Sequence, residues 1–212
     1  MQTALHPRRP ACTKCLRPLS ACICQWVAPV EHVVEVLILQ HPLEVANAKG
    51  SARLLQLSLP HSRMVTGEKF DGRVLLGAPH EPQAVHRPKY NILLYPDTPH
   101  DQALGIAVPQ VLAPDALHDP TQLRLIVIDG TWRKSRKMLY LNPLLQHMPR
   151  LSLQGLPASS YLIRKAHKPD QLSTLEATCA ALAQLEGDTE KFQPLLQAFD
   201  GFVAQQLAYR LG

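Results

Sequence analysis

The residues around Asp129 combine a lone carboxylate with a cluster of cations, which suits acid–base chemistry on a polyanion. In the stretch LIVIDGTWRKSRKML, an apolar run ends at Asp129, and four cations follow within a few residues. We expect this carboxylate to lie at a desolvated strand end, where its pKa is raised and it can act as a general base. The cations nearly equal the whole net charge of +5 and predict contacts with phosphates; they are Arg133, Lys134, Arg136 and Lys137.

The residues after Asp129 predict a helix over 131–141 with one apolar and one basic side. Gly130 lets the backbone turn sharply, and Thr131 can cap the helix. At about 100° per residue, the inward side would hold Trp132, Ser135, Met138 and Leu139. The outward side would carry the four cations and Tyr140, which can stack on an unpaired base. The alternative is that Asp129 only caps the helix and that the cations form a solvated surface.

Four of the five cysteines lie close together near the N-terminus and predict a metal site. Their spacing is C-x2-C-x6-C-x-C, with Cys12, Cys15, Cys22 and Cys24 in CTKCLRPLSACIC. Disulfides are disfavoured in a cytosolic chain, and zinc suits four thiolates in a closed structural site. An iron–sulfur cluster and a redox pair with two bystanders are the alternatives. Cys179 shares a predicted helical face with leucines and is predicted to be a packed, inert thiol.

Size and composition exclude several classes of protein. The chain has 212 residues, of which 46% are hydrophobic, so wholesale disorder is not expected. It contains no apolar run long enough for a membrane span and no apolar signal-peptide core, and we expect a cytoplasmic location. We predict an N-terminal zinc knuckle over residues 1–28 and a catalytic α/β domain over residues 29–212. A monomer is the favoured oligomeric state.

Short apolar runs alternate with helical patterns and predict an α/β fold with a mainly parallel sheet and flanking helices. Strands are predicted at 33–40, 73–77, 91–97 and 123–129, with a further extended piece at 159–165. Helices are predicted at 47–59, 131–141, 173–185 and 190–209. Ligands of such sheets bind beyond the carboxyl ends of the strands. We therefore expect a cleft lined by the polar residues at 40–44, 95–97 and 129–132.

Four motifs occur in the order seen in DTW-domain proteins, namely CTKCLRPLSACIC, LLYPD, DGTW and STLEA. The chain resembles this family from residue 12 to about residue 180. The family's Asp-x-Thr-Trp motif corresponds to Asp129, Thr131 and Trp132. The resemblance implies a bacterial-type tRNA-uridine aminocarboxypropyltransferase. Such an enzyme moves the 3-amino-3-carboxypropyl group of S-adenosylmethionine to N3 of a uridine and releases methylthioadenosine. It also implies a fold similar to the knotted SPOUT-type domain, although the periodicity shows no knot.

The residues that would hold S-adenosylmethionine follow from this resemblance and from the predicted strand ends. No glycine-rich turn follows the first strand, so the nucleoside must be held in another way. The arm's carboxylate would meet the helix start at Ser173-Thr174 or Arg164. Its ammonium would meet Glu176 or Asp97, although a capping box with Ser173 is the favoured role of Glu176. The complete set of candidates is Tyr95, Pro96, Asp97, Gly130, Thr131, Arg164, Ser173, Thr174 and Glu176.

On this interpretation Asp129 is the general base that removes the uridine N3 proton. The partners are tRNA and S-adenosylmethionine, with zinc in the cysteine cluster, and Trp132 is more readily placed in the core than in the site. Two other functions stay open. One is a SPOUT-like RNA methyltransferase, and the other is a non-catalytic, zinc-bearing RNA-binding module that would tolerate loss of Asp129.

Overall fold

A five-stranded parallel sheet forms the centre of the protein. The chain is seen in a computed structural model that describes residues 10–77, 88–96, 98, 103, 105–153 and 172–211, with side chains as far as residue 209. The strands are β1 (Glu35–Gln40), β2 (Ser62–Thr66), β3 (Tyr90–Leu94), β4 (Leu123–Asp129) and β5 (Arg150–Leu151). Their order across the sheet is β2-β1-β4-β3-β5, and every neighbouring pair is parallel. All carboxyl ends therefore meet at one edge of the sheet.

Helices cover both faces of this sheet. They are α1 (Ala52–Ser58), α2 (Gly72–Leu76), α3 (Trp132–Leu141), α4 (Pro143–His147), α5 (Thr174–Glu186) and α6 (Gln193–Leu211). On one face, Val36 and Ile38 of β1 pack with apolar residues of α1, α5 and α6. On the other face, Leu37 and Leu39 pack with residues of α2, α3 and α4. The predicted α/β architecture with a parallel sheet and flanking helices is confirmed, whereas the SPOUT-like topology stays a prediction.

Residues 73–77 were predicted as a strand, and instead residues 73–76 form most of α2 and Gly77 caps it. The side chain of Asp71 accepts a hydrogen bond from the backbone N–H of Arg73, and Gly77 ends the helix with a left-handed φ of 71°. A short apolar run does not distinguish a strand from a helix, but an Asp cap and a terminal glycine are helix signals. The predicted extended piece at 159–165 lies outside the described residues.

Two strands and one helix were not predicted. β2 is an edge strand of mostly half-buried and exposed residues, SRMVT, which lacks a strong apolar signal. β5 has only two residues, too few for a periodic pattern. α4 begins at Pro143, directly after α3; proline is tolerated at the first position of a helix.

The start of α5 has the predicted capping box. The Oγ of Ser173 accepts the N–H of Glu176 at 3.1 Å, and a carboxylate oxygen of Glu176 accepts the N–H of Ser173 at 2.7 Å. Further along the helix, Cys179 is only 1% exposed, and burial raises the pKa of its thiol to about 12. This thiol therefore stays protonated and unreactive at neutral pH, as the sequence predicts.

The C-terminal helix α6 holds the cysteine-rich segment against the rest of the fold. The indole of Trp26 packs on Gly201 and donates a hydrogen bond to Gln205 Oε1. The hydroxyl of Tyr209 donates to the carbonyl of Ser20. A Cβ added at Gly201 would lie 2.1 Å from Trp26 Cζ3. Glycine therefore occupies this helical position because the indole needs the space.

Gly201→Ala is expected to destabilise the protein by about 1–3 kcal/mol, because the added methyl group overpacks the contact with Trp26. Thermal unfolding measures the effect. In a Trp26→Ala background the same change should stabilise the protein by about 0.5–1 kcal/mol, since alanine is the better helix former. The same sign in both backgrounds would show that the indole contact does not select glycine.

No helix in the described part of the chain combines the length and the hydropathy needed to cross a bilayer.

Candidate active site

Asp129 lies at the carboxyl edge of the sheet and is held from two sides. It is the last residue of β4 and is 5% exposed. Its Oδ2 accepts a hydrogen bond of 3.0 Å from Gln40 Nε2 at the end of β1. Its Oδ1 accepts one of 2.8 Å from Thr174 Oγ1 at the start of α5. Because both donors are uncharged, they orient the carboxylate without transferring a proton to it.

Six of the predicted co-substrate residues lie on segments at this edge. Gly130 and Thr131 form the turn from β4 into α3, where Thr131 Oγ1 accepts the N–H of Lys134 at 3.4 Å and caps the helix. Tyr95 and Pro96 directly follow β3, the neighbour of β4 in the sheet. Ser173 and Thr174 lie at the start of α5. Asp97 and Arg164 lie outside the described residues.

Glu176 forms the capping box at the start of α5. It is 9% exposed, and one of its carboxylate oxygens accepts the N–H of Ser173. This contact fixes the first turn of α5, and so it also fixes Thr174, whose hydroxyl reaches Asp129. The structure thus gives Glu176 the capping role that the sequence favoured.

Trp132 was predicted to be core and is instead 48% exposed. The buried residues of α3 are Ser135, Met138 and Leu139, as the helical periodicity predicts. Trp132, the first residue of α3, departs from this periodicity. Because β4 ends at Asp129, the first turn of α3 has little sheet beneath it. The indole stands edge-on to the ring of Tyr95, with a centroid separation of 6.0 Å.

Lys134 and Lys137 of the basic cluster have acidic partners in distant loops of the described chain. Lys134 Nζ lies 2.7 Å from Glu44 Oε1, and Lys137 Nζ lies 2.7 Å from Glu68 Oε2. The hydrogen bond from Lys137 lowers the pKa of the Glu68 carboxyl group. The sequence shows no acid within the cluster, but the loops after β1 and β2 supply two. The charges of Lys134 and Lys137 are therefore already compensated within the protein.

A polar network that the sequence did not reveal fixes the loop after β2 to α3. The buried His41 accepts the N–H of Leu43 at Nδ1, so its Nε2 carries the proton donated to Glu68 Oε1 over 2.7 Å. Asn142 donates to the carbonyl of Glu68 and accepts the N–H of Phe70, both at 2.8 Å. With β2 unrecognised, nothing in the sequence placed Glu68 beside the basic helix.

A second unpredicted contact supports the end of β3. The guanidinium of Arg150 lies over the ring of Tyr95 at 5.2 Å and donates to the carbonyl of Pro96 at 3.4 Å. Arg150 follows no recognisable motif and belongs to the two-residue strand β5. The contact holds the segment after β3 beside the edge that carries Asp129.

An open groove of about 440 Å³ runs along the exposed side of α3. Ile106 is a buried apolar residue of its lining, and two aromatic rings and three cations complete the wall. These are Trp132, Tyr140, Arg133, Arg136 and Lys137. Positive charge and exposed aromatic rings together match the backbone and the bases of a single-stranded nucleic acid.

The four clustered cysteines bring their sulfur atoms together. All four Sγ atoms lie within 4.8 Å of one another, with pairs at 3.6 Å and 3.7 Å. Four thiolates at about 2.3 Å from a tetrahedral zinc ion would lie about 3.8 Å apart, so the donor set fits this metal. Backbone N–H groups lower the pKa of the Cys12 thiol to about 6, and burial raises that of Cys24 to about 12.

Arg17, within the cysteine loop, has a structural role. Its guanidinium donates to the carbonyls of Ala48 and Gly50, at 2.6 Å and 2.8 Å, and lies 5.2 Å from the centre of the Phe202 ring. These contacts join the loop both to the segment before α1 and to α6.

The chain matches the model of the DTW domain over residues 9–207. It is 28% identical to tRNA-uridine aminocarboxypropyltransferase 2 of Macaca fascicularis over 204 residues, which cover 95% of this chain and 65% of that protein. It is 29% identical to the protein of the same name from Drosophila melanogaster, over 94% of this chain and 76% of that protein. It is 27% identical to tRNA-uridine aminocarboxypropyltransferase A of Arabidopsis thaliana, over 89% of this chain and 77% of that protein. No solved structure matches the chain significantly. The family model spans nearly the whole sequence, and the chain therefore belongs to the DTW-domain family.

Proposed function

We propose that this protein is a tRNA-modifying enzyme that transfers the 3-amino-3-carboxypropyl group of S-adenosylmethionine to N3 of a uridine in tRNA. Methylthioadenosine is the second product. The relatives that share its domain are named for this activity. The observation that carries the proposal is the carboxylate of Asp129, fixed at the carboxyl edge of a parallel sheet and followed directly by the basic, aromatic helix α3.

Asp129 acts as the general base in this proposal. Uridine N3 is a poor nucleophile until its proton leaves, and a carboxylate oxygen of Asp129 accepts that proton. Gln40 and Thr174 hold the carboxylate in one orientation, which is the requirement for proton transfer over a short distance. Burial of the group at 5% exposure keeps bulk water away from it.

The edge also offers groups suited to a nucleoside. Tyr95, Pro96 and Gly130 contribute peptide groups, and Thr131, Ser173 and Thr174 add hydroxyl groups, which match the hydrogen-bonding edges of adenine and ribose. S-adenosylmethionine, when bound, supplies a carbon activated by its sulfonium. The remaining candidates for its amino-acid arm are Asp97, Arg164 and Glu176.

We propose that the cysteine cluster binds one zinc ion and forms a structural knuckle over residues 1–28. The catalytic domain follows over residues 29–212. The ligands are Cys12, Cys15, Cys22 and Cys24, whose sulfur separations suit four thiolates around one ion. A site with four protein ligands has no open position for chemistry, so the metal stabilises the segment that packs on α6. A SPOUT-like topology, a monomeric state and a cytoplasmic location complete the proposal.

Mass spectrometry of nucleosides tests the reaction class. The purified protein is incubated with tRNA and S-adenosylmethionine, and the tRNA is digested. Aminocarboxypropyluridine together with methylthioadenosine is the expected result. A methylated nucleoside with S-adenosylhomocysteine would indicate an RNA methyltransferase instead. RNA binding without any new nucleoside would indicate a non-catalytic module.

The salt dependence of tRNA binding should distinguish Arg133 from the paired Lys134. Replacing Arg133 by Gln removes up to one phosphate contact, and the slope of log affinity against log salt should flatten by about 0.7–0.9. Replacing Lys134 by Gln should change the slope by less than half as much, because this lysine already pairs with Glu44. Equal slopes for the wild type and the Arg133 variant would show that Arg133 belongs to a solvated surface.

A further inference from the structure

The exposed side of α3 carries three planar side chains in one row. Trp132, Arg136 and Tyr140 are spaced at i, i+4 and i+8, which places them along one stripe of the helix. Trp132 is 48% exposed and Tyr140 is 57% exposed. At a rise of about 1.5 Å per residue, the two rings are separated by about 12 Å along the helix axis. All three side chains line the groove beside α3.

This stripe begins at the candidate active site and leads away from it. Trp132 follows the turn that carries Asp129 and contacts Tyr95, which follows β3. Tyr140 lies two turns further along the helix. An RNA strand that lies along this stripe, with its target base directed towards Asp129, would place the neighbouring nucleotides over Arg136 and Tyr140.

The charges beside the stripe favour a nucleic-acid strand over an apolar partner. Among the described residues, Glu44 and Glu68 pair with Lys134 and Lys137 of α3. Arg133 and Arg136 are exposed beside the aromatic rings. An apolar protein segment would leave these cations desolvated, whereas a nucleotide supplies both a phosphate for the cation and a base for the ring.

We propose that Trp132, Arg136 and Tyr140 form a stacking platform for unpaired nucleotides that flank the target uridine. The inference rests on the proposed function and adds a substrate requirement to it. The nucleotides that flank the uridine must be unpaired, because bases in a duplex do not expose faces on which side chains can stack. Aromatic rings and guanidinium planes both stack on bases, so the platform tolerates many flanking sequences.

Fluorescence of a single indole reports on this contact. The chain has two tryptophans, and Trp26→Phe leaves Trp132 as the only one while keeping a ring against Gly201. A short single-stranded oligouridylate should quench this fluorescence, and the same RNA annealed into a duplex should not. In direct binding assays, Trp132→Ala and Tyr140→Ala should each weaken single-stranded binding by roughly 5- to 150-fold. Trp132→Phe and Tyr140→Phe should retain most of the affinity.

Arg136→Lys separates stacking from charge. The variant keeps the cation but loses the guanidinium plane, so affinity should fall while the salt slope stays unchanged. Val111→Ala, which truncates a side chain that is 90% exposed elsewhere, should bind RNA like the wild type. Melting temperatures of all variants establish that the fold is retained.

Two results would overturn the platform. One is unchanged affinity of Trp132→Ala and Tyr140→Ala for single-stranded RNA. The other is quenching of Trp132 by S-adenosylmethionine alone, with Trp132→Ala weakening only that binding, which would assign the indole to the adenine. Failure of the proposed reaction has a different signature, since RNA would still bind and quench while no modified nucleoside is formed.

Discussion

Asp129→Asn is expected to lower the single-turnover rate at saturating substrates by about 100- to 10,000-fold. The amide keeps the size of the carboxylate and can still accept a hydrogen bond from Gln40 or Thr174, but it cannot accept the N3 proton. The loss corresponds to roughly 3–5 kcal/mol of activation free energy. Rapid-quench measurement of the modified nucleoside in one turnover gives the rate without the contribution of product release.

Three further measurements separate this role from others. A residue that only binds the co-substrate would weaken S-adenosylmethionine affinity and restore most of the rate at saturation. A residue that only supports the fold would lower the melting temperature and leave the folded fraction active. Thr174→Ser keeps the hydroxyl donor to Oδ1 of Asp129 and serves as the matched control, with a rate near that of the wild type. A fall of less than about tenfold in Asp129→Asn would show that Asp129 is not the base.

Loss of the metal is the second large effect that we expect. The purified wild-type protein should hold about one equivalent of zinc, and Cys15→Ser should hold less than half of that. Cys15 is the most buried of the four ligands, at 2% exposure, so its replacement also leaves a polar hydroxyl in an apolar site. Because metal binding is coupled to folding, the melting temperature should fall by roughly 10 °C or more. Elemental analysis and thermal unfolding measure the two effects.

Cys179→Ala is the matched control for the metal prediction. This thiol is equally buried but lies in α5 and is not among the four clustered sulfur atoms, so zinc content should not change while the small cavity lowers stability slightly. Iron and acid-labile sulfide in the purified wild-type protein would show that the cysteines bind an iron–sulfur cluster instead of zinc. Four thiols that titrate freely in the folded protein, without zinc or iron, would contradict the metal site altogether.

The central elements could be predicted from the sequence because their signals are local. LRLIVID is apolar at five of its seven positions, as expected of a central strand covered on both faces, and it forms β4. Ser173 and Glu176 carry the capping box in the sequence itself, and the structure contains it. The cysteine spacing likewise places four sulfur atoms together without knowledge of the fold.

The contacts that shape the site could not be predicted because they join distant positions. The partner of Lys137 is Glu68, 69 residues away, and that of Lys134 is Glu44, 90 residues away. These pairs depend on the order β2-β1-β4 in the sheet, which no local pattern encodes. Trp132 was misplaced for a related reason: it lies with Arg136 and Tyr140 on the exposed side of α3, and the helical pattern does not show where the edge of the sheet lies relative to the first turn.

The packing of Trp26 on α6 has a consequence for synthesis of the chain. Trp26 and Gln205 are 179 positions apart, so at about 5–20 residues per second the ribosome delivers the second partner roughly 10–35 s after the first. During this interval the indole and the cysteine loop lack the surface that covers them. A nascent chain that stops before α6 would keep both exposed to chaperones and proteases. Burial of Trp26 and of the cysteine loop is therefore coupled to synthesis of the chain as far as α6.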